Sequence, residues 1–161
     1  MAIDMYLKVD GATGESQDSN HKDWIDIISY QWGATQAGSM ASGGGGGAGK
    51  VSFNDLTVVT RLDKACPAIL KFCSSGKHVS EVKVSLCKAG TTQIEYSTIV
   101  LKDVIITSVN TGGAGSNEQV LISYAFQSSQ VELHYWVQQK DGTKGAESQM
   151  GWDVKANKAT A

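Results

Sequence analysis

The sequence predicts a mainly β fold, an antiparallel barrel or two-sheet sandwich with one short α-helix. Three observations carry this. Apolar and polar residues alternate with period two in one segment after another. Glycine-bearing turn signals separate those segments. A single stretch has the apolar spacing of an amphipathic helix.

The alternation begins at once: Ile3, Met5, Leu7 and Val9 share one face, with Asp4, Lys8 and Asp10 opposite. It returns at Val82, Val84 and Leu86, against Lys83, Ser85 and Cys87. Val120, Ile122, Tyr124 and Phe126 form another such face, and Val131, Leu133, Tyr135 and Val137 a further one. Trp152, Val154 and Ala156 make a last short strand, and Lys155 to Ala161 is expected to fray. Asp10-Gly11, Ala89-Gly90, Thr111-Gly112-Gly113 and Asp141-Gly142 supply the turns. The helix is expected over about 64–74, because Cys66, Ile69, Leu70 and Cys73 fall at i, i+3, i+4 and i+7. Asp63 suits its N-cap, Pro67 its first turn and Gly76 the left-handed position past its end.

Two segments lack a wet face. In 24–32, Trp24, Ile28, Tyr30 and Trp32 share one side, while Ile25 and Ile27 point the other way. In 96–109, Val100, Val104 and Ile106 oppose Ile99, Leu101, Ile105 and Val109. A strand that is apolar on both faces needs cover on both. One cover is the chain's own core. The other is a helix, a second sheet or another subunit. Trp24, Ile25, Ile27, Ile99, Leu101 and Ile105 are therefore subunit-interface candidates.

At 161 residues the chain is one domain, 1–161, with enough length for a sizeable core. Fourteen Lys and Arg against sixteen Asp and Glu leave a formal charge of −2, which excludes the basic footprint of a nucleic-acid binder. Charged residues make up only 19%, sparse for a monomer that must wet its whole surface. No apolar run is long enough for a transmembrane helix, so no membrane insertion is expected. The start has no basic region followed by an apolar one, so it reads as a strand and not as a signal peptide. Synthesis in the cytoplasm and export without a cleavable leader are the expectation. Three cysteines with no CxxC argue against a disulfide framework or a zinc site. Eighteen glycines beside one proline imply mobile loops and few of the prolines that blunt strand edges.

The chemistry-bearing motifs are weak. Gly44 to Lys50 nearly matches a phosphate-binding loop, but Val51 stands where that motif needs Ser or Thr, and the following residues are strand-like. His21, His78 and His134 have no ligand spacing and are expected at the surface or an interface. Cys66 and Cys73 lie on the helix stripe as small hydrophobes. Asp23, Asp26, Asp55 and Asp103 are candidate ion-pair partners for Arg61, Lys64 or Lys102. The four tryptophans are core or interface before they are a sugar platform. No catalytic residue, metal or cofactor is expected, and the chain reads as a non-enzyme. Double-faced strands, few charges and a long glycine-rich loop over about 33–50 together point to obligate assembly.

Several ordered motifs add a resemblance. The opening segment runs through Lys8-Val-Asp-Gly-Ala-Thr-Gly-Glu-Ser16, then Ile25-Asp26 and Trp32-Gly33. The glycine loop Gly43 to Lys50 follows, then Asp63-Lys64 and Pro67 leading into Cys73-Ser-Ser-Gly-Lys-His78. Leu101-Lys-Asp-Val-Ile-Ile-Thr-Ser-Val109 with Gly112-Gly113 completes the set. Over about 1–155 the chain resembles the haemolysin-coregulated protein (Hcp) family of type VI secretion. That resemblance implies a barrel-like domain with one helix, assembling as a hexameric ring. Rings stack into a tube inside a contractile sheath, with a spike protein at the tip. Small effector proteins ride in the lumen, and the tube is secreted into the medium or a neighbouring cell.

On that reading Gly38, Ser39, Gly43, Gly44, Gly45, Gly46, Gly47, Gly49 and Lys50 are the candidates for ring-to-ring stacking. Ser29 and Gln31, on the less apolar side of 24–32, are the lumen candidates. The alternative is a protein that is primarily an effector carrier or export chaperone. A nucleotide-binding P-loop protein is the remote one.

Overall fold

The alternating segments pair, antiparallel throughout, into a closed barrel in this computed structural model, which describes residues 2–38, 49–90 and 92–161. In chain order the elements are β1 (Ile3–Val9), β2 (Ile25–Gln31), β3 (Ala34–Thr35), β4 (Ser52–Phe53), β5 (Leu56–Arg61) and α1 (Cys66–Ser75). They continue with β6 (Val79–Lys88), β7 (Ile94–Gly112), β8 (Leu121–Gln138), β9 (Lys144–Asp153) and β10 (Lys158–Ala159). Six strands close in the order β8-β5-β2-β1-β6-β7, with β7 returning to β8. β9 and β10 extend the sheet beyond β8, and β3 with β4 forms a separate ribbon. Of the two architectures the sequence left open, the barrel forms.

Closure depends on two long strands that change partners. β8 pairs with β5 over Leu121–Phe126 and with β9 over Gln130–Gln138, while β7 lies along both halves. β6 covers β7 only as far as Val104. The exchange happens where three neighbouring strands switch which residues they bury. β6 buries Val79 and then Val82, β7 buries Leu101 and then Val104, and β8 buries Phe126 and then Val131. Each interval is odd, so a strict period-two strand would turn one of each pair away from the core. The backbone turns at Asp103, held at φ 55 in the left-handed region. Its carboxylate accepts hydrogen bonds from Ser129 Oγ at 2.9 Å and Lys155 Nζ at 3.3 Å, and pairs with His78 Nδ1 at 2.8 Å.

This corner corrects the reading of 96–109 as apolar on both faces. Ile99, Leu101, Val104 and Ile106 all belong to one core, because the phase of burial changes at Asp103. A similar irregularity affects 24–32. The register slips between Ile27 and Ser29, so Ile27 and then Tyr30 fall on the core side, opposite Thr60 and Val58. The interface candidates Ile25, Ile27, Ile99 and Leu101 are buried inside their own protomer.

The helix begins at Cys66, two residues later than expected, so Ala65 holds the N-cap position and no side chain caps it. Asp63 still accepts the Ala65 N–H at 3.0 Å. Gly76 ends the helix at φ 67, and its N–H bonds back to the Cys73 carbonyl. Ala65, Cys66 and Ile69 are buried, whereas Leu70 on the expected stripe is exposed. Within the tail expected to fray, the chain turns back onto β9. Asp153 Oδ1 accepts the Ala156 N–H, Asn157 adopts φ 55, and Lys158–Ala159 returns to pair with β9. Val154 and Ala156, expected in a strand, form this turn. Within the expected 33–50 loop, Ala34–Thr35 is already strand, and residues 39–48 lie outside those described.

Leu101→Ala is expected to cost the isolated protomer about 2–5 kcal/mol in denaturant unfolding, because it opens a cavity in a filled core. An effect confined to assembly would return Leu101 to the interface. Tyr124 is fully buried, and among the described residues its hydroxyl has no hydrogen-bond partner. Tyr124→Phe should therefore cost less than about 1 kcal/mol.

Candidate assembly surfaces

With the core filled inside the barrel, the apolar side chains left outside mark candidate contact surfaces. The largest run lies on β8. Along its core-side face, exposure climbs from 1% at Val131 to 36% at Leu133, 47% at Tyr135 and 50% at Val137. The face is continuous, but it leaves the barrel: β5 pairs only with the first part of β8. The sequence identified these residues as a strand face but gave no warning that the barrel would end beneath them. The available signal was length, since no glycine, proline, asparagine or aspartate interrupts β8 across its 18 residues. At roughly 3.3 Å per residue such a strand outruns a small barrel's wall.

A second surface differs in chemistry. After the slip in β2, Ser29 pairs with Val59 and Gln31 with Thr57. The same rows continue across β8 and β7 through Ser123 and Asn110, and through Ala125 and Ser108. This wall faces away from the core, is built from small or uncharged side chains, and leaves Ser29, Gln31 and Asn110 exposed.

A third surface carries the charged groups. One row crosses five strands: Tyr6, Ser85, Thr98, His134 and Gln149. His134 sits between Glu147, 2.7 Å from Nδ1, and Glu132, 3.0 Å from Nε2. Burial disfavours the charged ring, but the bonds to Glu147 and Glu132 outweigh it and hold the His134 pKa above its ordinary value. Lys102 pairs with Glu132 at 3.0 Å, and Lys144 lies over the Trp136 ring. At the corner, the contact with His78 and then those with Ser129 and Lys155 draw the Asp103 carboxyl down to about 2.

The Hcp profile, described as type VI secretion system effector, Hcp, matches residues 6–136. The chain is 42% identical over 159 residues to protein hcp1 of Pseudomonas aeruginosa, covering 98% of each. Among solved structures it is similar to Hcp1 of Salmonella typhimurium, with a TM-score of 0.83, 33% identity and 99% of both chains covered. The solved structure of a type six secretion system protein superposes with a TM-score of 0.92 at 26% identity, covering 99% of this chain and all of that one. The chain belongs to the Hcp family. As an Hcp protein it is a structural, secreted tube component of the type VI secretion system, able to assemble with itself.

Several expectations change in this Hcp chain. Trp24 is half-buried and Ile105 is exposed, so these two alone of the six interface candidates reach the surface. Of the stacking candidates, Gly38, Gly49 and Lys50 are described, while Ser39 and Gly43–Gly47 lie outside the described residues. Lys50 lines a recess of about 530 Å³ with Trp32, Phe53 and Ile105. From Lys50 the chain enters the strand β4, so the helix N-terminus of a phosphate-binding loop is missing at that place. Lys102 pairs with Glu132 and Asp103 with Lys155, neither being the expected combination. His21, expected at the surface or an interface, is buried inside the protomer.

His134 should give the chain an alkaline sensitivity. Its raised value makes its contribution complete below about pH 6.5, the ordinary imidazole value, and lost as pH rises through the folded one. His134→Gln should flatten the pH dependence of thermal stability above neutrality, by no more than about 1 kcal/mol. Identical wild-type and variant slopes would refute the assignment.

Proposed function

We propose that this Hcp chain closes into six-membered rings that stack as the inner tube. The bare apolar stripe of Leu133, Tyr135 and Val137 supports this reading most directly. A filled barrel has no internal use for these side chains, and burial against a neighbour recovers roughly 25 cal/mol for each Å² removed from water. Tyr135→Asp places a charge in that contact. It should shift the protein from rings to folded protomers in size exclusion with light scattering, whereas unaltered rings would place the interface elsewhere.

The wall containing Ser29 and Gln31 faces the lumen in this proposal. Hydroxyls, amides and small apolar groups keep such a wall wet without selecting cargo by charge. Small effector proteins travel there, a contractile sheath surrounds the tube, and a spike protein closes its tip. This wall also favours the carrier reading, in which holding effectors is a principal task. Gln31→Lys together with Ser29→Lys should deplete co-purifying cargo without disturbing the ring, and unchanged cargo would remove these residues from the lumen. The segment from Gly38 to Lys50 serves ring-to-ring contact. Deleting Gly43–Gly47 should leave rings intact and reduce tube formation seen by electron microscopy, while equal tube formation would make it a spacer.

The chain performs no catalysis in this reading. Asp18, His21 and Ser85 have the spacing of a hydrolytic triad, but Ser85 is buried and its hydroxyl is given to the Glu95 carboxylate. A carboxylate on the nucleophile opposes the negative charge that such a serine must develop.

A further inference from the structure

The His21 cluster has no role in the proposed ring, lumen or stacking contacts, yet it spends several buried polar groups. His21 stacks on Tyr6 with 4.2 Å between ring centroids and meets the edge of Trp24 at 4.8 Å. Its Nδ1 lies 2.7 Å from Asp18 Oδ2, and its Nε2 lies 3.0 Å from Ser85 Oγ. Ser85 Oγ is 2.5 Å from Glu95 Oε2, and Lys144 Nζ is 3.5 Å from Glu95 Oε1.

Counting hydrogens decides the state of the ring. A hydroxyl has one hydrogen, and an ionised carboxylate only accepts. The Ser85 hydrogen therefore goes to Glu95, leaving none for His21. Nε2 must then carry a hydrogen and donate it to Ser85. Nδ1 faces a carboxylate and must donate as well. We infer that His21 is a buried imidazolium held between Asp18 and Glu95, and that its proton latches the loop 10–24 onto the outer face of β1 and β6.

The surroundings fit that charge. Asp18, His21, Glu95 and Lys144 alternate in sign along one chain of contacts. The remaining groups facing the ring are Tyr6 from β1, Lys83 and Cys87 from β6, and Gln93 just before β7. Gln93 Nε2 donates both to the Tyr6 hydroxyl at 2.9 Å and to Asp4 Oδ2 at 3.1 Å. Cys87 Sγ is 4.0 Å from Nε2, and burial pushes its thiol pKa up, so it stays neutral beside the ring.

The loop's own backbone bonds are largely internal: Gly14 N–H to Asp23, Asp23 N–H to Ser16, Ser16 N–H to Trp24 and Trp24 N–H to His21. Near its tip the polar hold on β6 runs through His21. Losing the proton removes one of the two donations and leaves Asp18 and Glu95 facing each other across a neutral ring. Unpaired buried groups are costly, so deprotonation of the ring opens the loop.

Two measurements on the full chain test this. Nitrogen-15 NMR of the wild-type imidazole at pH 7 should report hydrogen on both nitrogens of His21. Hydrogen exchange of the Ser16 and Trp24 amides, corrected for the intrinsic pH effect, should speed up about tenfold between pH 6 and pH 9 in the wild type. Glu95→Gln removes the need for the proton, so its exchange should no longer respond to pH. A wild-type ring with one bare nitrogen overturns the inference without any variant. So does a Glu95→Gln protein whose loop keeps the wild-type response.

Discussion

The whole architecture depends on one constraint: β7 and β8 must each serve two sheets and still keep a single core. A pleated strand commits its side chains to alternate faces, so bending from one sheet into the next would carry half of them out of the interior. The switch between Leu101 and Val104, echoed by Val79 and Val82 and by Phe126 and Val131, resolves the conflict at one level in three strands. Asp103 is the backbone position that makes it possible. Its left-handed conformation suits a short polar side chain, and its carboxylate ties the bend to His78, Ser129 and Lys155.

From that bend follow the outer surfaces. Past it, one half of β8 contributes Ser123 to an uncharged wall, and the other half carries Leu133, Tyr135 and Val137 out over the rim. The opposite side of the same sheet collects the ionisable groups into short alternating chains. Such pairs contribute modestly one by one. Their larger effect is to keep charge off the apolar stripe and away from the small-residue wall, so that each surface keeps one chemistry.

Much of this was legible in the residues. The strand faces of Leu7 and Val9, of Val82 and Val84, and of Ile122, Tyr124 and Phe126 follow directly from alternation, and the helix built on Cys66 and Ile69 from its own three-and-four spacing. The left-handed Gly76 was equally plain. What alternation could not show was a change of phase. Leu101 and Val104 are an odd number of residues apart, so they looked like opposite faces and suggested a second cover that the bend makes unnecessary. Ile99 and Leu101, read as facing a second cover, lie in the protomer's own core for that reason. The stripe from Leu133 to Val137 was missed for the complementary reason: a strand's pattern records which side faces inward and carries no mark of where the interior ends. The His21 cluster joins residues more than sixty positions apart, and only the fold brings them together.

The unbroken run of β8 has a mechanical consequence. The rim that carries Tyr135 and the wall that carries Ser123 are parts of one strand, braced along nearly its whole length by β7. A push or pull at the rim is thus shared among rungs of a hydrogen-bonded ladder loaded together, with no soft connector in which the load could dissipate. For a component of a secreted tube, stiffness of this kind comes from the backbone alone and places few demands on the side chains.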